Sequence, residues 1–176
     1  MNKNELCQAF GWGAEYLPLC EEIRRNFVDF TQRHIARVNT LASFIGRYFP
    51  KHDEDKFDLP YYYLLQWRET EHALDELPGD IDEINRRIDA DTWTHILRNP
   101  HHPEHWDNRL APDEPFARKD PKTNIDATGM DEDALSEFVC DCLSMSIMRD
   151  KDPDKVFDWF EKSVGLTTDF KMVYLF

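Results

Sequence analysis

Between Glu21 and Phe49 the apolar residues Phe27, Phe30, Val38, Leu41, Ile45 and Tyr48 recur in steps of three and four. That spacing lines side chains along one face of an α-helix. The one gap, between Phe30 and Val38, is filled in register by His34, which is expected to face inward. Pro50 closes the pattern. A second helix is expected over "LPYYYLLQWRE", with Asp58 as its cap and Pro60 in its first turn. After the turn "LPGD" at 77–80, Asp80 is placed to cap "IDEINRRIDADTWTHILRN". That helix should bury Ile81, Ile84, Ile88 and Ile96 and stop at Asn99, because the residue before Pro100 disfavours helical dihedrals. Thr128 with Asp131 resembles a capping box for the stretch that runs to Asp150. There Ala134, Phe138, Asp141, Met145 and Met148 step by three and four, so Asp141 interrupts an apolar stripe as His34 does. A last helix is expected over "PDKVFDWFEKSVG", after Pro153 and up to Gly165. Strand-like alternation is missing, apart from a possible short extended tail at "KMVYLF".

The chain is thus expected to be all-α, a single helical domain over residues 1–176. A long irregular loop near residues 100–129 carries Pro100, Pro103, Pro112, Pro115 and Pro121. Loops of that length serve as lids or are disordered, and 107–127 reads either as a lid or flexible insertion or as an ordered surface excursion. With 41% hydrophobic residues there is enough apolar material to offset chain entropy, which excludes wholesale disorder. No apolar run reaches the ~18–20 residues of a membrane span. The start, "MNKNELCQAFGWG", lacks a basic region followed by an apolar run, so the protein is expected in the cytoplasm. Cys7, Cys20, Cys140 and Cys142 contain no CxxC pair and are expected as free thiols in or near the core.

The formal charge of −14 changes the functional picture. Such a surface repels phosphate backbones, so no nucleic-acid polymer is expected as partner. A small anionic substrate would need a local positive centre, which a bound metal supplies. Candidate ligands are present. Burying an unpaired carboxylate is expensive, so Asp141 needs a metal, a buried Arg or a water-bridged His. His34 alone reads equally as a satisfied core histidine. His52 and Asp53 are adjacent, and neighbouring helical residues diverge by about 100°, which suits two sites of an octahedral ion. Imidazole with carboxylate suits Mn²⁺, Fe²⁺, Co²⁺ or Zn²⁺. A second cluster, "THILRNPHHPEHW", holds His95, His101, His102 and His105, four of the seven histidines, with one or two expected as bystanders. His72 has no such company and is expected to be solvated.

"HIARV" before "HDEDK", followed by "VCDCLSMS", resembles the HD-domain superfamily of metal-dependent phosphohydrolases. The stretch "HILRNPHHPEHW" with "VCDCLSMS" is similar to an uncharacterised, largely phage and bacterial, HD-like family. The resemblance runs from about residue 30 to 162, leaving residues 1–25 as an N-terminal extension. It implies an HD-like helical bundle in which His34, His52, Asp53 and Asp141 hold one metal. His95 with one or both of His101 and His102 would hold a second ion. Lys56 stands where many members carry a lysine that contacts substrate phosphate, and Asp55 stands where the family often has Gly.

The implied function is hydrolysis of a nucleotide or other small phosphoester through a metal-activated water. Asp53, Glu54 or Asp55 would orient that water, and Lys56 and Arg98 would offset the phosphate charge. Two alternatives stand beside it. A di-iron HD-type oxygenase would use the histidine-rich second cluster. An acidic phage protein, made in a host cytoplasm, would block a basic host partner.

Overall fold

The computed structural model describes residues 1–70, 74–107, 125–149, 152 and 155. Among them the chain forms five α-helices joined by short 3₁₀ turns, with no strand, as the all-α expectation requires. The helices are α1 (Lys3–Phe10), α2 (Leu17–Ser43), α3 (Pro60–Glu69), α4 (Ile81–Arg98) and α5 (Glu132–Arg149). None of the described helices is long and apolar enough to cross a membrane. The described residues divide into two compact units, those of Met1–Ile35 with Lys51–His95, and those of Ala36–Pro50 with the ones from Ile96 onward.

In the first unit, α1 is held at its start by a capping box. The Asn2 side chain accepts from the Asn4 and Glu5 amides at 2.9 and 3.1 Å, and Glu5 accepts from the Asn2 amide at 2.7 Å. Along α2 the buried positions are Cys20, Ile23, Phe27, Thr31 and His34, steps of three and four with His34 facing inward as expected. Thr31, not Phe30, occupies the stripe, and Phe30 is half-buried. Phe27 stacks on Tyr63 with ring centroids 3.9 Å apart and meets Phe57 edge-on at 5.4 Å. Pro60 opens α3 as expected, but Asp58 does not cap it. The 3₁₀ turn Glu54–Asp58 draws Asp58 into the preceding segment, and Leu59 takes the cap position without a side-chain bond. The Tyr61 amide is accepted instead by Asp91 of α4, at 2.7 Å. Asp80 caps α4 through the Asp82 amide at 2.9 Å. Ile84 and Ile88 are buried, and the helix stops one residue before Asn99.

In the second unit, Val38 and Ala42 of α2 pack with Cys140 of α5. Here the expected helix to Phe49 needs correction. Gly46 turns left-handed (φ 71°), and the Arg47 amide returns to the Ala42 carbonyl at 3.0 Å, ending α2 at Ser43. Ile45 and Tyr48 therefore leave the stripe and are 56% and 70% exposed. The Asn39 side chain brackets Phe49, accepting from its amide at 2.7 Å and donating to its carbonyl at 3.1 Å. Arg47 pairs with Glu132 at 2.7 Å and with Asp133.

The start of α5 also differs from expectation. Asp131 accepts from the Ala134 amide at 2.8 Å, whereas Thr128 donates its hydroxyl to Asp126 at 2.7 Å and takes no part in a capping box. Ala134, Phe138 and Cys142 are buried, and so are Cys140, Ser144 and Ser146, so burial is not confined to the expected stripe. Met145, Met148 and Asp141 are half-buried. The described part of the irregular stretch contains a 3₁₀ turn, Pro103–Trp106, with the Trp106 indole donating to the Pro100 carbonyl at 2.7 Å. His72, most of the 107–127 lid or insertion, the helix after Pro153 and the "KMVYLF" tail lie outside the described residues.

Candidate metal centre

Four of the sequence-predicted ligands lie inside the first unit, where His34, His52 and His95 each face an oxygen of Asp53. His34 comes from α2, His52 and Asp53 from the segment before the 3₁₀ turn, and His95 from α4. His52 and Asp53 were expected on a helix, and the structure corrects this. Asp53 adopts a left-handed conformation (φ 59°, ψ 12°), the only non-glycine with positive φ among the described residues. Asp is one of the few residues that tolerate this backbone, through the small size and local bonding of its side chain. The turn aims the Asp53 carboxylate inward, where it is fully buried, and His34, His52 and His95 are buried with it.

The donor atoms converge closely. His34 Nε2 and His52 Nε2 are 3.1 Å apart. Asp53 Oδ2 lies 3.3 Å from His34 Nε2 and 3.6 Å from His52 Nε2. On its other side, Asp53 Oδ1 is 3.3 Å from His95 Nε2. An ion bound at ~2.1 Å from each donor would separate adjacent donors by about 3.0 Å in octahedral geometry and about 3.4 Å in tetrahedral geometry. The observed spacings match that interval to within a few tenths of an ångström. Imidazole nitrogens beside a carboxylate form a donor set for a divalent transition ion, and His34, His52 and Asp53 present such a set within 3.6 Å of one another.

Positive charge is already present at the rim. Lys56 Nζ lies 2.7 Å from Asp53 Oδ2 and 5.0 Å from the centre of the Tyr62 ring, with 16% of its side chain exposed. Burial alone would raise the Asp53 carboxyl. The charges of His52 and Lys56, with the His34 hydrogen bond, outweigh it and hold the group well below the usual carboxylate range. Burial first, and the Lys56 charge second, push His95 below the ordinary imidazole range, against the opposing pull of Asp55 and Asp53. Glu54, the neighbouring candidate base, is exposed.

The remaining candidates belong to the second unit. His101 is buried, with Nδ1 3.4 Å from Glu137 Oε1. Its ring lies 4.4 Å from the half-buried ring of His102, and the two offer ligand nitrogens within 4.8 Å of each other. His105 Nδ1 lies 2.6 Å from the Leu97 carbonyl. Asp141 is half-buried on α5, and Arg98 is exposed at the end of α4. Sequence reasoning missed Glu137 beside His101 and the part played by Asp55, whose Oδ1 and Oδ2 lie 2.9 and 3.2 Å from His95 Nδ1. It also missed Tyr62, which meets the His95 ring edge-on at 5.3 Å.

Residues 24–173 match the model of a family of unknown function (DUF5662), and the chain belongs to that family. No curated protein and no solved structure matches the chain.

Proposed function

We propose that this chain is a metal-dependent phosphohydrolase of the HD type, acting on a nucleotide or another small phosphoester. The observation that supports the reading most is the buried cluster of His34, His52 and Asp53 at metal-donor spacing, with His95 on the other oxygen of Asp53. A bound divalent ion would supply Lewis acidity toward a phosphoryl oxygen and lower the pKa of a water. Lys56, 2.7 Å from Asp53, would supply the cation for a phosphate oxygen. Glu54 offers an exposed carboxylate next to Asp53 that can take a proton from water. Asp141, His101 and His102 enter this reading as ligands, and Arg98 as a charge beside the phosphate, from the sequence reading. The high negative charge favours a small substrate over a polymer.

A second reading has one observation in its favour. Lys56 already neutralises Asp53 at 2.7 Å, as it would in a polar core that needs no ion. Metal content of the purified protein, by elemental mass spectrometry beside Asp53→Ala, separates the two. One or two transition ions per chain, lost in the variant, is the expected result. Absence of metal in both proteins after reconstitution leaves the polar-core reading. With metal bound, nucleoside monophosphates and cyclic nucleotides are tested with added Mn²⁺. Silence across that panel sinks the hydrolase reading, and two irons with an absorbance change on exposure to O₂ would replace it with an oxygenase.

A further inference from the structure

The ring of His95 is buried between two carboxylates. Nδ1 faces Asp55, at 2.9 Å from Oδ1 and 3.2 Å from Oδ2, and Nε2 faces Asp53 Oδ1 at 3.3 Å. A neutral imidazole carries one N–H and one lone pair, so only one of these carboxylates can accept from it. The shorter contact, with both oxygens in reach, is to Asp55. Tyr62, edge-on to the ring at 5.3 Å, adds to the packing of its plane.

We infer that Asp55 is a positioning residue that fixes His95 in the Nδ1–H tautomer and so turns a bare Nε2 toward Asp53 as a metal donor. This inference rests on the metal reading of the site. It follows the general pattern in which a ligating histidine gives its second N–H to a carboxylate, which sets tautomer, ring orientation and basicity. The geometry without the ion supplies a second argument. With the proton on Nδ1, the Nε2 lone pair and Asp53 Oδ1 confront each other as two acceptors, an arrangement that a cation relieves. Asp55 stands only two residues after Asp53, so the short 3₁₀ turn delivers both the ligand and the residue that orients another ligand from α4.

The test begins with the full chain stripped of metal by EDTA and labelled with ¹⁵N-histidine. A long-range ¹H–¹⁵N correlation at neutral pH reads the tautomer of each ring, with His95 assigned by its loss in His95→Gln. The expected wild-type signal is Nδ1–H with an unprotonated Nε2. Asp55→Ala should move the proton to Nε2, and Asp55→Asn, which keeps an acceptor, should restore the wild-type tautomer. Titration with Zn²⁺ against a competing chelator should then show affinity about 10–100-fold weaker in Asp55→Ala, with most of the loss recovered in Asp55→Asn. A wild-type His95 that is Nε2–H or doubly protonated overturns the inference. So does a tautomer that Asp55→Ala leaves unchanged. If the tautomer responds as expected but neither protein binds Zn²⁺, the metal reading fails, and the donor role given to Nε2 fails with it, while control of the tautomer by Asp55 stands.

Discussion

The pair formed by Lys56 and Asp53 can be measured directly. Asp53→Asn removes the charge but keeps side-chain volume and a residue type that tolerates φ 59°, so backbone strain does not confound the result. The substitution leaves the Lys56 ammonium without its carboxylate, in a pocket where 16% of its side chain reaches solvent. Breaking a fully buried pair costs about 3–5 kcal/mol. The residual exposure of Lys56 places Asp53→Asn at the low end, about 3 kcal/mol. Removing both partners leaves no orphan charge, so Asp53→Asn with Lys56→Met should cost about 2 kcal/mol less than the sum of the single variants. The assay is urea denaturation of the EDTA-treated proteins at low salt. A coupling below about 0.5 kcal/mol, the level of independent sites, would refute the ion pair. In wild type, Mn²⁺ or Zn²⁺ at 100 times its dissociation constant should add about 2.7 kcal/mol, and Asp53→Asn should gain none of it.

Phe27 is 1% exposed and lies between Tyr63 and Phe57, so Phe27→Ala should cost about 3–5 kcal/mol in urea denaturation; a loss below 1.5 kcal/mol would show that the site collapses or that the stack is not formed. All four cysteines are buried and none is in a disulfide, and burial, then contact with Cys7, push the Cys20 thiol up to about 12. At pH 8 the Cys20 thiolate is roughly one part in ten thousand, so a disulfide reagent should leave the folded protein unmodified over minutes and titrate all four thiols in denaturant; rapid modification of Cys20 in the folded state would contradict its placement. Asp131→Ala should cost about 1 kcal/mol as the loss of a helix cap, and Thr128→Ala only a few tenths; the reverse order would restore the capping-box reading of Thr128.

Much of the fold was legible because helix periodicity survives locally. The His34 position followed from steps of three and four alone, and Asp80 and Pro100 marked the limits of α4 closely. The misreadings arose where a partner distant along the chain overrides a local signal. Asp58 has the right residue type one position too early, and Asp91, thirty residues beyond Tyr61, accepts the Tyr61 amide that Asp58 was expected to cap. Gly46 is the converse case. Ile45 and Tyr48 continue the apolar stripe, but the left-handed turn at Gly46 ends the helix before either can be buried. A stripe counted through a glycine overestimates the helix, because the period carries no information about where the backbone can reverse.

The candidate site divides along the same line. Which residue types could bind an ion was readable, since His34 broke an apolar stripe and His52–Asp53 stood next to each other. How they reach one another was not. The helical reading of His52 and Asp53 relied on a 100° divergence, whereas the left-handed turn at Asp53 is what sends its carboxylate into the cluster. Asp55 shows the limit most clearly. In the sequence it is one acid among four between Asp53 and Asp58, and its meaning depends on His95, forty residues away. An acidic residue that orients a ligand is indistinguishable along the chain from one that is merely solvated. What separates them is a ring nitrogen at 2.9 Å, and the consequence falls on the opposite nitrogen of that ring, where the proton's absence makes a donor.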